Sequence, residues 1–176
     1  NVSAASGLAL ETYGMGVAVG DYDGDGWQDL FLSSLEKNHL FRNEQGRFRD
    51  VTDSAGVGGR DNLWSTGAAF LDYDRDGDQD LLLINSSYWP GHVGTAQPHH
   101  GLYANDGAGR FQEVTEAAGL DFNDYGMGMA VGDYDGDGWV DLYLTNLGRS
   151  IQQMIRVLQL NLFARRDLLA LLHGDP

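Results

Sequence analysis

The sequence predicts an all-β fold: a β-propeller of four-stranded antiparallel blades, incomplete in this chain at about 2.5–3 blades. Three observations predict it. Glycine supplies 25 of the 176 residues against three prolines, beside eight tyrosines, seven phenylalanines and four tryptophans. That mixture suits many short strands joined by tight turns. One segment recurs three times, as Gly14 to Leu32, Ser65 to Leu83 and Gly126 to Leu144. The first Asp of each copy falls at 21, 72 and 133, giving periods of 51 and 61 residues, the scale of a propeller blade.

Each repeat opens on a strand of small residues, at Val17 to Val19, Ala68 to Leu71 and Met129 to Val131. An Asp-rich loop follows, at 21–29, 72–80 and 133–141, and an apolar strand leaves it at Leu30 to Leu32, Leu81 to Ile84 and Leu142 to Leu144. An outer hairpin comes next: Leu40-Phe41-Arg42-Asn43 turns through Gly46 to Phe48, and Leu102-Tyr103-Ala104-Asn105 turns through Gly107 and Gly109 to Phe111. A further element recurs at Val51 to Val57 and Val114 to Leu120, and Val2 to Leu8 is its third copy. The repeats are thus assigned to residues 1–149. Residues 150–176 break the pattern. Apolar residues at 151, 154, 155, 158 and 162, with Ser150 as a cap and Gly174 as a stop, predict an amphipathic C-terminal helix covering the last blade's edge.

Composition narrows the function classes. The formal charge is −15, yet 42% of residues are apolar, so this is not a disordered acidic tail. Half of the 26 acidic residues lie in the three loops. Such a surface repels nucleic acid and anionic membranes. No apolar run reaches the roughly 18 residues of a membrane span. Without cysteine there are no disulfides and no thiolate metal sites. No signal peptide is visible, and because the chain begins with Asn rather than Met it is expected to have been processed or cut, which leaves room for a lost export signal.

The loops share the pattern D-x-D-x-D-G-x-x-D: Asp21, Asp23, Asp25, Gly26 and Asp29; Asp72, Asp74, Asp76, Gly77 and Asp80; Asp133, Asp135, Asp137, Gly138 and Asp141. Four carboxylates within nine residues repel one another unless a cation sits among them. Positions 1, 3 and 5 can point inward when the backbone curls, the glycine permits the turn, and position 9 closes the shell. Position 7 is Trp27, Asp78 or Trp139, consistent with a backbone carbonyl ligand there. Hard oxygen ligands in this number suit Ca²⁺, and about three ions are expected, bringing the formal charge from −15 to −9. An EF-hand is excluded, because position 12 is Leu32, Leu83 or Leu144 where that loop requires a bidentate Glu.

The motifs G-D-Y-D-G-D-G-W-x-D-L and N-x-x-G-x-F-x-[DE]-V-T-x-x-[AS]-G-[LV] resemble the FG-GAP/VCBS repeat family, known from integrin α-subunit propellers and many bacterial exported proteins. The likeness covers roughly residues 1 to 147, and the VT-x-x-AG element is most similar to the bacterial and cartilage-acidic-protein branch that often carries an ASPIC/UnbV module. The resemblance implies a propeller that binds calcium through the twelve loop aspartates and serves as a platform for adhesion or ligand recognition. The second repeat departs from the pattern with Leu71, Arg75 and Asp78, while keeping all four carboxylates. The tail is weakly similar to the C-terminal end of some insertion-sequence transposases, which implies a disrupted gene and nothing catalytic.

No nucleophile motif, phosphate-binding loop or dinucleotide fingerprint occurs, so a non-enzymatic role is expected. The long insertion Asn85 to Gly101 carries Tyr88, Trp89, His92, His99 and His100. It supports an alternative reading as a lectin-like carbohydrate-binding module, testable on a glycan array; an accessory domain of a polysaccharide-active enzyme is the other. Its histidines lack a metal-site spacing. Asn85-Ser86-Ser87 and Asn1-Val2-Ser3 fit the glycosylation sequon. The expected setting is extracellular or periplasmic, with a protein or carbohydrate ligand, and self-association or further blades completing the ring.

Overall fold

The computed structural model describes residues 1–59, 63–86, 99–121, 125–146 and 155–159. Its strands form three antiparallel sheets. The first runs β1 (Gly14–Gly20), β2 (Asp29–Ser34), β3 (His39–Glu44) and β4 (Arg47–Asp50), each beside the next. The second repeats that order with β5 (Trp64–Leu71), β6 (Asp80–Ser86), β7 (Gly101–Asn105) and β8 (Phe111–Glu113). The third pairs β9 (Gly126–Gly132) with β10 (Asp141–Asn146) and β10 with β11 (Ile155–Gln159). A single helical turn, α1 (Ser3–Ser6), precedes β1, and another, α2 (Thr52–Ala55), follows β4. Each innermost pair carries an irregularity at the same place, around Met15, Thr66 and Met127, so the bulge is part of the repeat.

The sheets stack face to face, β1 on β5 and β5 on β9. Alternation along β6 explains how. Leu81 and Leu83 enter a cluster with Ala18, Phe31 and Leu40 of the first sheet and Tyr22 of its first loop. Leu82 and Ile84 enter a second cluster with Leu142 and Leu144 of the third. Both faces of β6 are therefore covered, and every residue of it is buried. Tyr22 adds ring contacts to Phe70 and Phe111 across the first junction. The same strand positions are exposed where no sheet lies against them: Val17 and Val19 stand at 60% and 57%, although they align with Ala68 and Phe70, which pack into the first cluster.

The V-T-x-x-[AS]-G element is a closed turn. Ala55, Gly56 and Val57 donate backbone hydrogen bonds to Val51 and Thr52, and Ala118 and Leu120 do the same to Val114 and Thr115. Its glycine takes a positive φ (87° at Gly7, 79° at Gly56), and at Gly7 a Cβ would collide with the Phe48 carbonyl of β4. The Thr hydroxyl ties the turn to the sheet. Thr52 Oγ1 accepts the Leu40 amide (2.9 Å) and donates to an Asp50 carboxylate oxygen (2.5 Å). Thr115 repeats this with Leu102 and Glu113, which accounts for the acidic residue two places before it.

The structure corrects one expectation. The helix assigned to 150–176 is overturned where the segment is described: Ile155–Gln159 is a strand paired antiparallel to β10. The open edge of β10 offers a row of unpaired backbone groups, and β-branched Ile155 and Val157 suit a strand, so pairing outweighs helical spacing. The third sheet thus draws on residues beyond 149. Residues 150–154 and 160–176 lie outside the described residues. The sequon at Asn85 is a pattern match only. Asn85 is buried; its amide donates to the His99 carbonyl (2.8 Å) and its oxygen accepts the Ser65 hydroxyl (2.7 Å), so it is no accessible glycan acceptor. His100 is likewise buried beside it. Tyr88, Trp89 and His92 lie outside the described residues.

Candidate metal centres

The three loops join β1 to β2, β5 to β6 and β9 to β10 at one end of each sheet. The ladder brings the ends of each loop together, because Gly20 opposes Asp29, Leu71 opposes Asp80 and Gly132 opposes Asp141. Three carboxylates therefore converge in every repeat: Asp21, Asp23 and Asp29; Asp72, Asp74 and Asp80; Asp133, Asp135 and Asp141. Within each trio one oxygen per residue lies within 4.8 Å of the others. Oxygens that close can share one divalent cation, so the donor set fits a hard metal ion.

The ninth position anchors the site. Asp29 and Asp80 are fully buried and Asp141 nearly so. One oxygen of Asp29 accepts the Tyr22 amide (3.2 Å) and the other the Asn43 amide (2.7 Å). Asp80 is held identically by Tyr73 and Asn105, at 2.9 Å each, and Asp141 by Tyr134 at 2.9 Å. Burial pushes the Asp29 and Asp80 carboxyls up to about 6, with nearby loop carboxylates adding to the effect, although the backbone donors oppose it. Asp141 is raised for the same first reason. A buried carboxylate under like-charge pressure is relieved by a cation.

The fifth position behaves differently. Asp25, Asp76 and Asp137 fall outside the trios. Each accepts the amide of position 7, from Trp27 (2.9 Å), Asp78 (2.9 Å) and Trp139 (2.8 Å), forming a local turn. Position 1 accepts the amide of the loop glycine, Gly26 to Asp21 and Gly138 to Asp133 at 2.9 Å each. Local amides thus set the loop curvature. The glycine after position 5 has φ of 89°, 95° and 84° in the three copies, a conformation that L side chains rarely adopt.

A match to the FG-GAP-like repeat model covers residues 21–83 and 95–144, well over half of the chain. The chain belongs to the FG-GAP-like repeat family. Cartilage acidic protein 1 of Xenopus tropicalis is 30% identical over 185 residues, an alignment covering 100% of this chain and 25% of that protein. The chain therefore spans about a quarter of this relative's length. Both FG-GAP-like matches contain a complete loop-to-apolar-strand unit, from Asp21 through Leu83 and up to Leu144.

Several contacts around the FG-GAP loops were not drawn from the sequence. Asn43 and Asn105 tie position 8 of their own loops through the Gln28 and Gln79 carbonyls, at 2.8 and 3.0 Å. Asn105 also reaches the Tyr22 carbonyl (2.7 Å), joining the first loop to the second sheet. The recurrence of that Asn in the two hairpins was a signal for it. Arg75 lies over the Trp139 ring, 5.0 Å from its centroid, linking the second and third loops. Arg42 contacts Asp23 and Asp25, and no equivalent cation occurs at Ala104.

Proposed function

We propose that this FG-GAP chain is a non-enzymatic calcium-binding scaffold for protein recognition outside the cytoplasm, with calcium in a structural role. The threefold recurrence of one carboxylate trio, each closed by a buried Asp on the strand leaving the loop, carries the reading. An ion bound there joins the two ends of the innermost hairpin of each sheet. It would offset the buried charge at Asp29 and Asp80 and stiffen the edge on which the loops sit. Millimolar external calcium suits exposed, all-oxygen sites of this kind. Among the described residues no helix is long and apolar enough to cross a membrane.

Thermal melting with calcium, with magnesium and with EGTA tests the proposal. Calcium is expected to raise the melting temperature and EGTA to reverse it, with magnesium giving a smaller rise. Each site at a hundredfold excess of calcium over its Kd contributes about 2.7 kcal/mol. Identical melting in all three conditions would remove the metal reading.

A further inference from the structure

Each junction between sheets joins a forward face, turned towards the next sheet in the chain, to a backward face. On the strand leaving the loop, the forward residue is Phe31, Leu82 or Tyr143. Phe31 and Leu82 are fully buried in the two clusters, whereas Tyr143 stands 40% exposed. The loop tyrosine follows the same rule. Tyr22 reaches forward to stack on Phe70, with centroids 6.4 Å apart, while its counterpart Tyr134 is 62% exposed. Gly20 comes so close to the second sheet that a Cβ there would lie 2.7 Å from the Phe70 ring. The middle repeat fills that place with Leu71 of the second cluster. At Gly132, the third copy, a Cβ would meet nothing within 4 Å. Among the described residues, no sheet covers the forward face of the third sheet.

The first sheet presents the opposite half. The backward residues Ala68 and Phe70 pack into the first cluster, and Met129 packs into the second. In the first sheet those positions are Val17 and Val19, both exposed, with exposed Met15 on the same strand. The outer hairpin shows the same gap. Asn105 donates across its junction to the Tyr22 carbonyl and within its own sheet to Gln79, whereas Asn43 makes only the second kind of bond, to Gln28. Exposed apolar faces of this kind mark interaction surfaces. Here the chain itself shows what fits them, because each face is of the type that the other type covers at both internal junctions.

We propose that the two faces meet between copies, the third sheet of one molecule packing on the first sheet of another. Tyr134 then lies against Val19 as Tyr22 lies against Phe70, and Asn43 donates to the Tyr134 carbonyl across the new junction. Contacts between unlike faces either close into a ring or grow into filaments. Two copies of three sheets make six, within the four to eight blades that close a propeller, so the assembly is a dimer.

Sedimentation equilibrium of the whole chain over a range of concentrations tests the proposal. Twice the chain mass is expected at the highest concentrations, with no larger species. Val19→Glu spoils only the backward face and Tyr143→Glu only the forward one. Both residues are exposed, so each variant should keep the circular dichroism of the unaltered chain. Each alone is expected to lose the dimer. Mixed in equal amounts they should recover a one-to-one pair, since the sound third sheet of Val19→Glu meets the sound first sheet of Tyr143→Glu. A mixture that stays monomeric, or a dimer that survives either change alone, overturns the head-to-tail contact. An unaltered chain that is monomeric throughout also overturns it, and assigns the faces to further blades of a longer chain or to a different partner.

Discussion

A single Thr or Asp in this chain serves several partners at once. Thr52 closes the turn after β4 by accepting from Leu40 and donating to Asp50. Asp50 also faces His39 Nδ1 at 2.9 Å. Burial works to raise the Asp50 carboxyl, but the hydrogen bonds from Thr52 and His39 outweigh it and hold the group below its ordinary value. A carboxyl depressed in the folded state adds stability above its unfolded pKa of about 3.9, and that stability is lost as pH falls through the folded value. Urea midpoints of the calcium-stripped protein are therefore expected to drop as pH is lowered past about 4, with a shallower drop for Asp50→Asn. Equal slopes for the two proteins would show that Asp50 carries none of the effect. The recurring [DE]-V-T was visible in the sequence. Its reason was not, because the Leu40 and Leu102 amides it serves sit 12 and 13 residues away.

At the level of elements, β6 joins the molecule together. Leu81 and Leu83 face one cluster and Leu82 and Ile84 the other, with all four fully buried. Leu81→Ala and Leu82→Ala are each expected to cost about 2–5 kcal/mol, read as a shift in the urea midpoint. Both should keep a single transition, since either change weakens the strand that belongs to both cores. A separate early loss of the third sheet in Leu82→Ala would show that the sheets unfold independently. The strands flanking the loops were legible because small and apolar residues recur in register at Val17, Ala68 and Met129 and at Leu30, Leu81 and Leu142. The strand at Ile155–Gln159 was misread because Ile155 and Leu158 also fit a helical spacing, and a free edge on β10 decided between them.

On the scale of the whole molecule, a charge of −15 concentrated in loops at one end of each sheet is a standing repulsion. Sodium chloride is expected to raise the melting temperature of the calcium-free protein between low salt and 0.5 M by screening it, and the rise should shrink once calcium is saturating. A salt effect of equal size with and without calcium would separate the loops from the repulsion. The repeat period, the strand order within a blade and the placing of an Asp-rich loop between its first two strands were determined by the sequence alone, because each follows from local turns and from alternation along short strands. Which aspartates meet was decided by tertiary structure. The ladder pulls position 9 against positions 1 and 3, while local amides draw position 5 aside. Tertiary structure also decided that Val17 is exposed where the aligned Ala68 is covered, and that Arg42 lies against Asp23 and Asp25. Those outcomes depend on which strand lies alongside, and pairing between distant segments is the information that a local pattern does not carry.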